Sequence, residues 1–452
     1  MGHHQPNISP AVRAALLIGA CFLLGSTGWL AWLYQLMELA QASAVDALTM
    51  VVGYLMQAVG MGAYLVMSKR LTTARLRQIS TGCTAAFSVC LAPAITTASL
   101  EAALAFGYLA NVACGVFTAY YLHCLATIVP HERQGLTFGG AYATTTVISW
   151  LITLPASGAL LRGAPAIALC LLLGALTSFL VSTTPVQSAP IDAADEQQEL
   201  DRTLIPLACV AAVLASLVKN AGFSFPTADL SAGLSLELSR LLYGVGLVVA
   251  GLVCDRRRSF GALCCITALV TPFLMLALSG MDAPGALLWS VDYLLFGFFA
   301  VYRVILFVDL ACSERRPSLA VMGLLLGRTG DALGTALCLA LANMPLVLVS
   351  ITAVLFALTA ASFFLLYQRL YAAVPEAQPS EQELFDRFSA RHDLSARERE
   401  VLRLVLSEHT NAQIAGELFV SEATVKFHVR NLLKKTGCKN RLEVHDLYAQ
   451  TR

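Results

Sequence analysis

The stretch "NAQIAGELFVSEATVKFHVRNLLKKTG", residues 411–437, contains two short helical patterns joined by a turn. Val425, Val429 and Leu432 recur at three- and four-residue steps, which predicts that one face of the second helix is buried. The same spacing turns a polar face outward. That face carries Lys426, Phe427, Arg430 and Lys434, flanked by His428, Asn431 and Lys435.

The sequence around this stretch completes a small all-α domain, which we predict over residues 393–452. Ser395 and Glu398 form a capping-box signal for a preceding helix, and Asn440 is placed to cap a following one. Positive charge is concentrated on one element, because residues 421–441 hold six Lys or Arg and a single acid. Such a focused charge suits a surface that neutralises phosphates.

Three segments carry a family resemblance: "LSAREREVLRLV" from Leu394, "TNAQIAGELFVSEATVKFHVRNLLKKTG" from Thr410, and "KNRLEV" from Lys439. They resemble the DNA-binding domain of LuxR/NarL-type bacterial transcription regulators, and Gly416 and Thr436 depart slightly from that pattern. The resemblance implies a helix-turn-helix whose second helix enters the major groove of DNA. The residues expected to contact bases or backbone are Ser421, Thr424, Lys426, Phe427, His428, Arg430, Asn431, Lys434 and Lys435.

The same resemblance implies partners. Double-stranded DNA is the first, and Arg430 is the side chain best suited to a two-hydrogen-bond contact with guanine. Domains of this kind usually pair through the fourth helix, so we expect a homodimer on DNA, with Val444, Leu447 and Tyr448 as candidate contacts. RNA polymerase is a further candidate partner.

The rest of the chain is hydrophobic. Of all residues, 57% are hydrophobic and 13% are charged, and apolar runs long enough to cross a bilayer recur from Ala11 to Tyr371. We therefore predict a polytopic membrane domain in the lipid bilayer. Its twelve expected spans are 11–35, 45–68, 77–98, 100–125, 134–157, 163–183, 203–224, 233–254, 259–280, 284–310, 318–342 and 345–371.

The distribution of lysine and arginine predicts the orientation. One set of connections carries Lys69, Arg70, residues 256–258, Arg315 and Arg316, whereas the alternate set holds little beyond Arg162. Because short cytoplasmic loops are enriched in these residues, we place both termini in the cytoplasm. The expected location is the inner, or cytoplasmic, membrane of a bacterial cell.

The long acidic connection over residues 184–202 divides the spans six and six. That arrangement resembles the major facilitator superfamily, as does "GLVCDRRRS" at residues 251–259, which is similar to the family's loop motif with Asp255. The resemblance implies two six-helix halves around a central cavity. The predicted domains are 1–183 for the first half, 184–202 for the loop, 203–372 for the second half, 373–392 for a linker and 393–452 for the DNA-binding domain.

Charged residues inside the spans are the candidates for a ligand site. The tenth and eleventh spans supply Trp289, Asp292, Phe296, Phe299, Arg303, Arg328 and Asp331. One interpretation is that these charges pair between helices and hold the bundle together, and the other is that some of them bind a small molecule. Lesser candidates, more typical of packing, are Trp29, Trp32, Gln57, Tyr108 and Asn111.

Two functions fit these features. The first is a membrane-embedded transcription regulator that senses a small molecule through its bundle and binds promoter DNA. The alternative is a transporter of the major facilitator type with a DNA-binding regulatory tail. The thirteen cysteines form no CxxC pair and no ligand spacing with histidine. We therefore expect neither a metal nor a cofactor, and no catalytic activity.

Overall fold

A computed structural model describes residues 9–154, 158–186, 203–224, 236–277, 285–372 and 381–449. The chain divides into two compact units, Met1–Arg369 and Leu370–Arg452. We call them the membrane unit and the C-terminal unit. Both are built from helices in the ranges described.

In the described residues, the first half of the membrane unit contains six long helical segments, which we call rods. One rod changes its helix type part of the way along. Its α-helices are α1 (Pro10–Leu39), α2 (Ala42–Asp46), α3 (Tyr54–Ser68), α4 (Thr73–Ala94), α5 (Leu100–Ile128), α6 (Gln134–Thr153) and α7 (Gly163–Thr183). A π-helical segment, Ala47–Gly53, joins α2 to α3 in a single rod. Short 3₁₀ turns at His131–Arg133 and Gly158–Leu161 precede α6 and α7.

The second half repeats the six-rod plan. Its α-helices are α8 (Leu204–Ser224), α9 (Leu236–Arg256), α10 (Arg258–Ala268), α11 (Val270–Ala277), α12 (Gly285–Ser313), α13 (Met322–Ala340) and α14 (Pro345–Tyr367). A 3₁₀ turn, Pro317–Val321, precedes α13, and a π-helical segment, Gln368–Ala372, follows α14. The predicted bundle of twelve helices in two sets of six is therefore confirmed.

Six helices within the described ranges are long and apolar enough to cross a membrane. They are Pro10–Leu39, Ala44–Ser68, Leu100–Ile128, Gly163–Thr183, Ser290–Ser313 and Pro345–Tyr371. Helices such as α13 are less hydrophobic because they carry charged residues into the bundle, here Arg328 and Asp331. The chain is thus a multi-pass membrane protein with polar helix faces turned inward.

The predicted span 259–280 is not one continuous helix. It breaks at Leu269, between α10 and α11. Pro272 has no amide hydrogen to donate to the carbonyl of Ala268, four residues earlier. The Thr271 hydroxyl donates to that carbonyl instead, at 2.9 Å. The proline therefore accounts for the break.

The two halves meet where glycine allows close packing. Helix α6 of the first half packs along α9 of the second, and α13 packs against α3. A Cβ atom on Gly135 would lie 2.6 Å from the carbonyl oxygen of Gly251, and one on Gly251 would lie 2.6 Å from the carbonyl of Gly135. Neither position has room for a side chain, so the α6–α9 crossing depends on both glycines.

The C-terminal unit has five described helices: α15 (Glu381–Arg391), α16 (Ala396–Leu406), α17 (Asn411–Glu417), α18 (Glu422–Thr436) and α19 (Arg441–Ala449). Capping boxes at Ser395–Glu398 and Thr410–Gln413 begin α16 and α17. Gly437, with φ +73°, ends α18 in the left-handed conformation that favours glycine. These signals explain why the unit divides into short helices.

One of these helices lies inside the segment predicted to be a linker, residues 373–392. In α15, Phe385 and Phe388 are buried with Leu402, Leu432 and Val444 in a common core. The core of the C-terminal unit therefore includes a helix that precedes the four predicted from sequence. Residues 373–380 of the predicted linker lie outside the described part of the chain.

Candidate nucleic-acid interface and bundle cavity

Helix α18 has one buried face and one exposed face. Val425, Val429 and Leu432 are buried in the small core formed with α16 and α17. Side chains on the opposite face are exposed, including Phe427 at 59%. We call the exposed set Lys426, Phe427, Arg430 and Lys434 the basic face.

The turn between α17 and α18 sets the direction in which α18 begins. Phe419 adopts φ +53°, and its neighbour Val420 donates its amide to the carbonyl of Ala415 at 3.0 Å. The Ser421 hydroxyl then accepts from the amide of Thr424 at 3.2 Å. Ser421 is exposed and Thr424 half-buried, so the cap stands at the end of the helix that would approach DNA first.

Among the predicted DNA contacts, Lys435 is engaged within the domain. Its Nζ lies 2.8 Å from Glu398 Oε2 and donates to the carbonyl of Asp393 at 2.7 Å. Burial raises the pKa of the Glu398 carboxyl, but hydrogen bonds from Lys435 and from the Ser395 backbone outweigh it and hold that pKa below its usual range. Lys435 therefore ties α18 to α16. His428 and Asn431 are half-buried beside the basic face.

Of the three proposed dimer contacts, one is buried in the unit itself and two are partly buried. Val444 is 0% exposed in the core, and Leu447 and Tyr448 pack against that core. Val444 cannot contact a second domain while this one is folded, so its assignment is corrected. Leu442, which is 76% exposed, is the large apolar side chain that α19 presents to the outside.

A cavity of about 310 Å³ lies within the membrane unit between its two halves. The first half contributes residues of α1, α3, α5 and α6, and the second contributes α9, α12 and α13. The lining residues used below are Phe22, Trp29, Tyr54, Tyr121, Tyr142, Trp150, Tyr243, Tyr293 and Arg328. Tyr54 and Gln57, which also lines the cavity, lie just after the π-helical segment.

Of the seven predicted ligand residues, Arg328 lines this cavity. Its side chain is 26% exposed, and its guanidinium lies over the ring of Tyr54, 4.4 Å from the ring centroid. Asp331 lies behind it and is bonded to Lys219 of α8 at 2.8 Å, with Arg328 4.0 Å away. The interpretation that intramembrane charges pair between helices therefore describes Asp331.

The other predicted residues pack away from the cavity. Asp292 accepts a hydrogen bond from the Thr271 hydroxyl at 2.7 Å, and Arg303 donates to the Ser216 hydroxyl at 2.8 Å. Phe296 and Phe299 lie against the ammonium of Lys219, at 4.8 and 5.9 Å from their ring centroids. The side chain of Trp289 lies outside the described residues.

The lesser candidates also divide into residues that line the cavity and residues that pack elsewhere. Trp29 and Gln57 line the cavity, and Gln57 also donates to Asn111 at 2.8 Å. Trp32 donates its indole hydrogen to the carbonyl of Ala103 at 3.0 Å, and Tyr108 donates to the carbonyl of Leu48 at 3.3 Å. Trp32, Tyr108 and Asn111 therefore have the packing roles that the sequence favoured.

Sequence reasoning missed most of the aromatic lining. Phe22 stacks on Tyr142 with ring centroids 4.1 Å apart, and Tyr142, Tyr243 and Tyr293 follow edge to face. These aromatic residues are uncharged, so they do not stand out among apolar spans as charged residues do. The signal that could have found them is the recurrence of aromatic side chains among the small and polar residues of several spans.

A second contact between the halves, which we call the inter-half latch, involves Asp255 and Arg258. The Asp255 carboxylate accepts from the amides of Gly135 and Leu136, both at 2.7 Å, at the start of α6. Arg258 lies 3.1 Å from Asp309 and donates to the carbonyl of His131 at 2.8 Å. The motif loop thus joins the two halves through a carboxylate at a helix N-terminus.

The described residues contain no group of three or more His, Cys, Asp and Glu side chains placed to hold a metal ion.

Known solved structures resemble most of the chain in fold. The human organic anion transporter MFSD10 (TETRAN) matches 81% of this chain and all of its own, with a TM-score of 0.56 and 14% identity. The E. coli fucose:proton symporter FucP matches 80% of this chain and 98% of its own, with a TM-score of 0.58 and 12% identity. The chain therefore shares the fold of these two transporters over most of its length.

The C-terminal unit matches known proteins in sequence. Residues 392–448 match the family described as bacterial regulatory proteins, luxR family. The spore germination protein GerE of Bacillus subtilis is 44% identical over 54 residues, which are 12% of this chain and 73% of that protein. The nitrate/nitrite response regulator protein homolog of Haemophilus influenzae is 46% identical over 55 residues, 12% of this chain and 26% of that protein.

A further relative, the HTH-type transcriptional regulator MalT of Serratia proteamaculans, is 50% identical over 50 residues, which are 11% of this chain and only 6% of MalT. Much of the length of these last two relatives thus has no counterpart here. What the relatives share with this chain is the region of the helix-turn-helix domain. Through that domain, the chain belongs to the luxR family of bacterial regulatory proteins.

Proposed function

We propose that this membrane-embedded regulator senses a small molecule in its bundle cavity and binds promoter DNA from the cytoplasmic side of the membrane. The observation that carries the proposal is the basic face of α18. Lys426, Arg430 and Lys434 are exposed in a row on a helix whose other face is locked in a core. A rigid helix that presents cations to one side has the geometry for insertion into the major groove.

Within this proposal, residues of α18 have separate roles. Arg430, Lys426 and Phe427 approach base edges near the middle of the helix. Ser421, Thr424, His428, Asn431 and Lys434 contact the sugar-phosphate backbone and set the register. Lys435 serves chiefly to position the helix, because its ammonium is already bonded to Glu398 and to the Asp393 carbonyl.

The cytoplasmic placement follows from the charge of the loops. Arginine and lysine cluster at 69–77, 256–258 and 315–316, which lie on one side of a twelve-span bundle with both ends together. The DNA-binding unit then shares a compartment with the chromosome. A reporter fused after residue 452 should be active in its cytoplasmic form, and activity confined to the exported form contradicts this placement.

The bundle supplies the signal in this scheme. A ligand changes the balance between two bundle states only if it binds them unequally. The cavity supports this scheme because its lining comes from both halves, so a movement of one half against the other would change its shape. Paired C-terminal units would then change how they present their basic faces to DNA.

A second function has its own support. The fold is shared with transporters, and the cavity lies between the halves, where a transported molecule would bind. In this alternative the chain carries a substrate across the membrane and its C-terminal unit reports the flux. Saturable accumulation of the inducing compound in proteoliposomes would favour it.

The central test compares transcripts of cells with and without the gene while a panel of small molecules is supplied. The proposal expects one group of transcripts to respond to one compound only when the gene is present. A selection of bound DNA fragments with the purified full chain should then recover the promoter of that group. Failure to enrich any DNA would contradict the regulator function.

A further inference from the structure

The membrane unit holds more positive than negative charge beside its cavity. Lys219 and Arg328 share the carboxylate of Asp331, at 2.8 and 4.0 Å. In the described part of the chain, Arg303 has no carboxylate within ion-pair distance and donates to the neutral hydroxyl of Ser216. Among these three cations, Arg328 is the one that lines the cavity.

Several hydrogen-bond donors at the cavity also lack an acceptor. The indole Nε1 atoms of Trp29 and Trp150 and the Nε of Arg328 are buried and have no partner among the described residues. Trp29 and Trp150 belong to the first half, and Arg328 to the second. Buried donors are nearly always paired in folded proteins, so three such donors around one cavity indicate a ligand rich in acceptors.

The guanidinium of Arg328 lies over an aromatic ring. Its central carbon is 4.4 Å from the centroid of the Tyr54 ring. One face is therefore covered, whereas the Nε at the edge of the group has no hydrogen-bond partner among the described residues. An edge of this kind matches the two oxygens of a carboxylate better than a single acceptor atom.

The remaining lining is aromatic. Phe22 and Tyr142 are nearly parallel, at 6° and 4.1 Å, and Tyr121 packs on Phe22 at 5.4 Å. Tyr243 adds its edge to Tyr142 at 5.6 Å. Flat side chains on several sides of a cavity favour a flat ring, which can stack on some of them and meet the edges of others.

We propose that the cavity binds a small aromatic carboxylate, with the carboxylate on Arg328 and the ring among Phe22, Tyr142 and Tyr243. The indole hydrogens of Trp29 and Trp150 donate to further oxygens of the same ligand. The proposal rests on the sensing function and gives its ligand a chemical class. Because the donors come from opposite halves, the bound anion bridges the halves and favours the bundle state in which they are close.

The test uses the purified full chain in lipid nanodiscs and isothermal titration calorimetry. The probes are benzoate, cinnamate and indole-3-acetate, each paired with its own neutral amide. We expect at least one acid to bind about 10-fold more tightly than its amide, as the loss of a charged hydrogen bond implies. Binding by none of the acids, or equal binding of each acid and its amide, would overturn the proposal.

Variants locate the contact. Arg328→Gln should weaken binding of the acid by about 10-fold or more, and Arg328→Lys should recover part of it. The matched control is Arg162→Gln, which removes an exposed arginine paired with Glu38 at 3.2 Å and should leave affinity unchanged. Unchanged affinity in Arg328→Gln would contradict the assigned contact.

A second variant covers the case in which Arg328→Gln does not fold. Trp29→Phe keeps the ring and removes one unpartnered donor, and it should weaken binding about 5-fold. If Arg328→Gln does not fold and Trp29→Phe binds the acid as tightly as the original chain, the proposal fails.

The same protein preparations should be assayed for DNA binding. If the acids fail while the protein still selects DNA, the ligand class is wrong and the regulator function stands. If DNA selection fails as well, the proposed function itself is contradicted. The two failures are thereby distinguished.

Discussion

Lys219 and Arg430 are both long cationic side chains on helices, yet their surroundings differ. Lys219 is 7% exposed and is bonded to Asp331 at 2.8 Å. Arg430 is exposed and has no carboxylate within ion-pair distance among the described residues. The membrane unit gives Lys219 a carboxylate and two aromatic rings as partners because hydrocarbon cannot solvate an ammonium group. The C-terminal unit leaves its cations in water, where a phosphate backbone can replace that water.

The comparison also shows where a ligand acts in each unit. In the C-terminal unit a row of exposed cations suits a polyanion. In the membrane unit a single cation, Arg328, reaches a cavity, which suits the small ligand proposed above. Five substitutions probe this contrast, from the largest expected effect to the smallest.

Asp331→Ala removes the carboxylate that Lys219 and Arg328 share. Breaking a buried ion pair leaves an uncompensated charge and costs about 3–5 kcal/mol of the free energy of unfolding. Thermal unfolding of the purified protein in detergent measures the loss. Glu38→Ala, in the exposed pair with Arg162, is the control and should cost less than about 1 kcal/mol. Equal losses in both variants would remove the distinction between buried and exposed charges.

Asp255→Ala opens the inter-half latch. The carboxylate accepts from two backbone amides at 2.7 Å, and a hydrogen bond to a charged group contributes about 1.5–3 kcal/mol. We expect a lower unfolding temperature and faster proteolysis between the halves. Glu132→Ala changes an exposed acid close to the start of α6 and is the matched control. An unaltered cleavage rate in Asp255→Ala would mean that the halves do not depend on this contact.

Arg430→Ala tests the exposed side of the comparison. A base contact with two hydrogen bonds contributes about 1–3 kcal/mol of discrimination, so the variant should lose preference at one position of its site and keep its fold. Lys434→Ala should instead weaken binding to all sequences and reduce the salt dependence of binding by about one phosphate. Fluorescence anisotropy with the selected DNA at several salt concentrations separates the two. Identical behaviour of the variants would refute the division into base and backbone contacts.

Glu398→Gln removes the negative charge of the ion pair between Glu398 of α16 and Lys435 of α18. The folded carboxyl has a lowered pKa, so it contributes stability above its ordinary unfolded pKa, and that stability is lost as pH falls through the folded value. Stability of the original chain should therefore decrease on acidification below about pH 4.5 by more than that of the variant. Denaturant unfolding at pH 7 and pH 4 measures the difference, which should be small because Lys435 is partly exposed. A larger acid sensitivity in the variant would reverse the assigned sign.

Much of the C-terminal unit could be predicted because local signals specify it. Capping boxes, the spacing of Val425 and Val429, and Gly437 all act within a few residues of the elements they determine. Within the segment predicted as a linker, Leu384, Phe385 and Phe388 indicate a short amphipathic turn that packs on the next domain, but its partners Leu402 and Val444 are far away in sequence. Prolines before it indicated a linker, and only the folded core shows where that linker ends.

For the membrane unit, the number of helical rods could be predicted from the sequence, but the charged residue that lines the cavity could not. Hydropathy reports how many residues are apolar. Which residues line a cavity depends instead on the rotation of each helix about its axis and on the helices beside it. Arg328 and Asp331 are three residues apart, yet one reaches the cavity and the other pairs behind it with Lys219. Lys219 lies near the end of its predicted span, a position that does not by itself suggest an ion pair with Asp331.

The π-helical turn at Ala47–Gly53 has a consequence for how such a bundle can be altered. A wider turn accommodates one residue more than an α-helical turn does, so the rod gains a residue without changing the directions of its two ends. Removing one residue there and restoring regular winding would keep Tyr54 facing the cavity. Removing one residue from α3, beyond that turn, would rotate everything on one side of the deletion by about 100°. Within this rod, evolution or an engineer can therefore vary chain length at the π turn without reorienting the side chains that follow it.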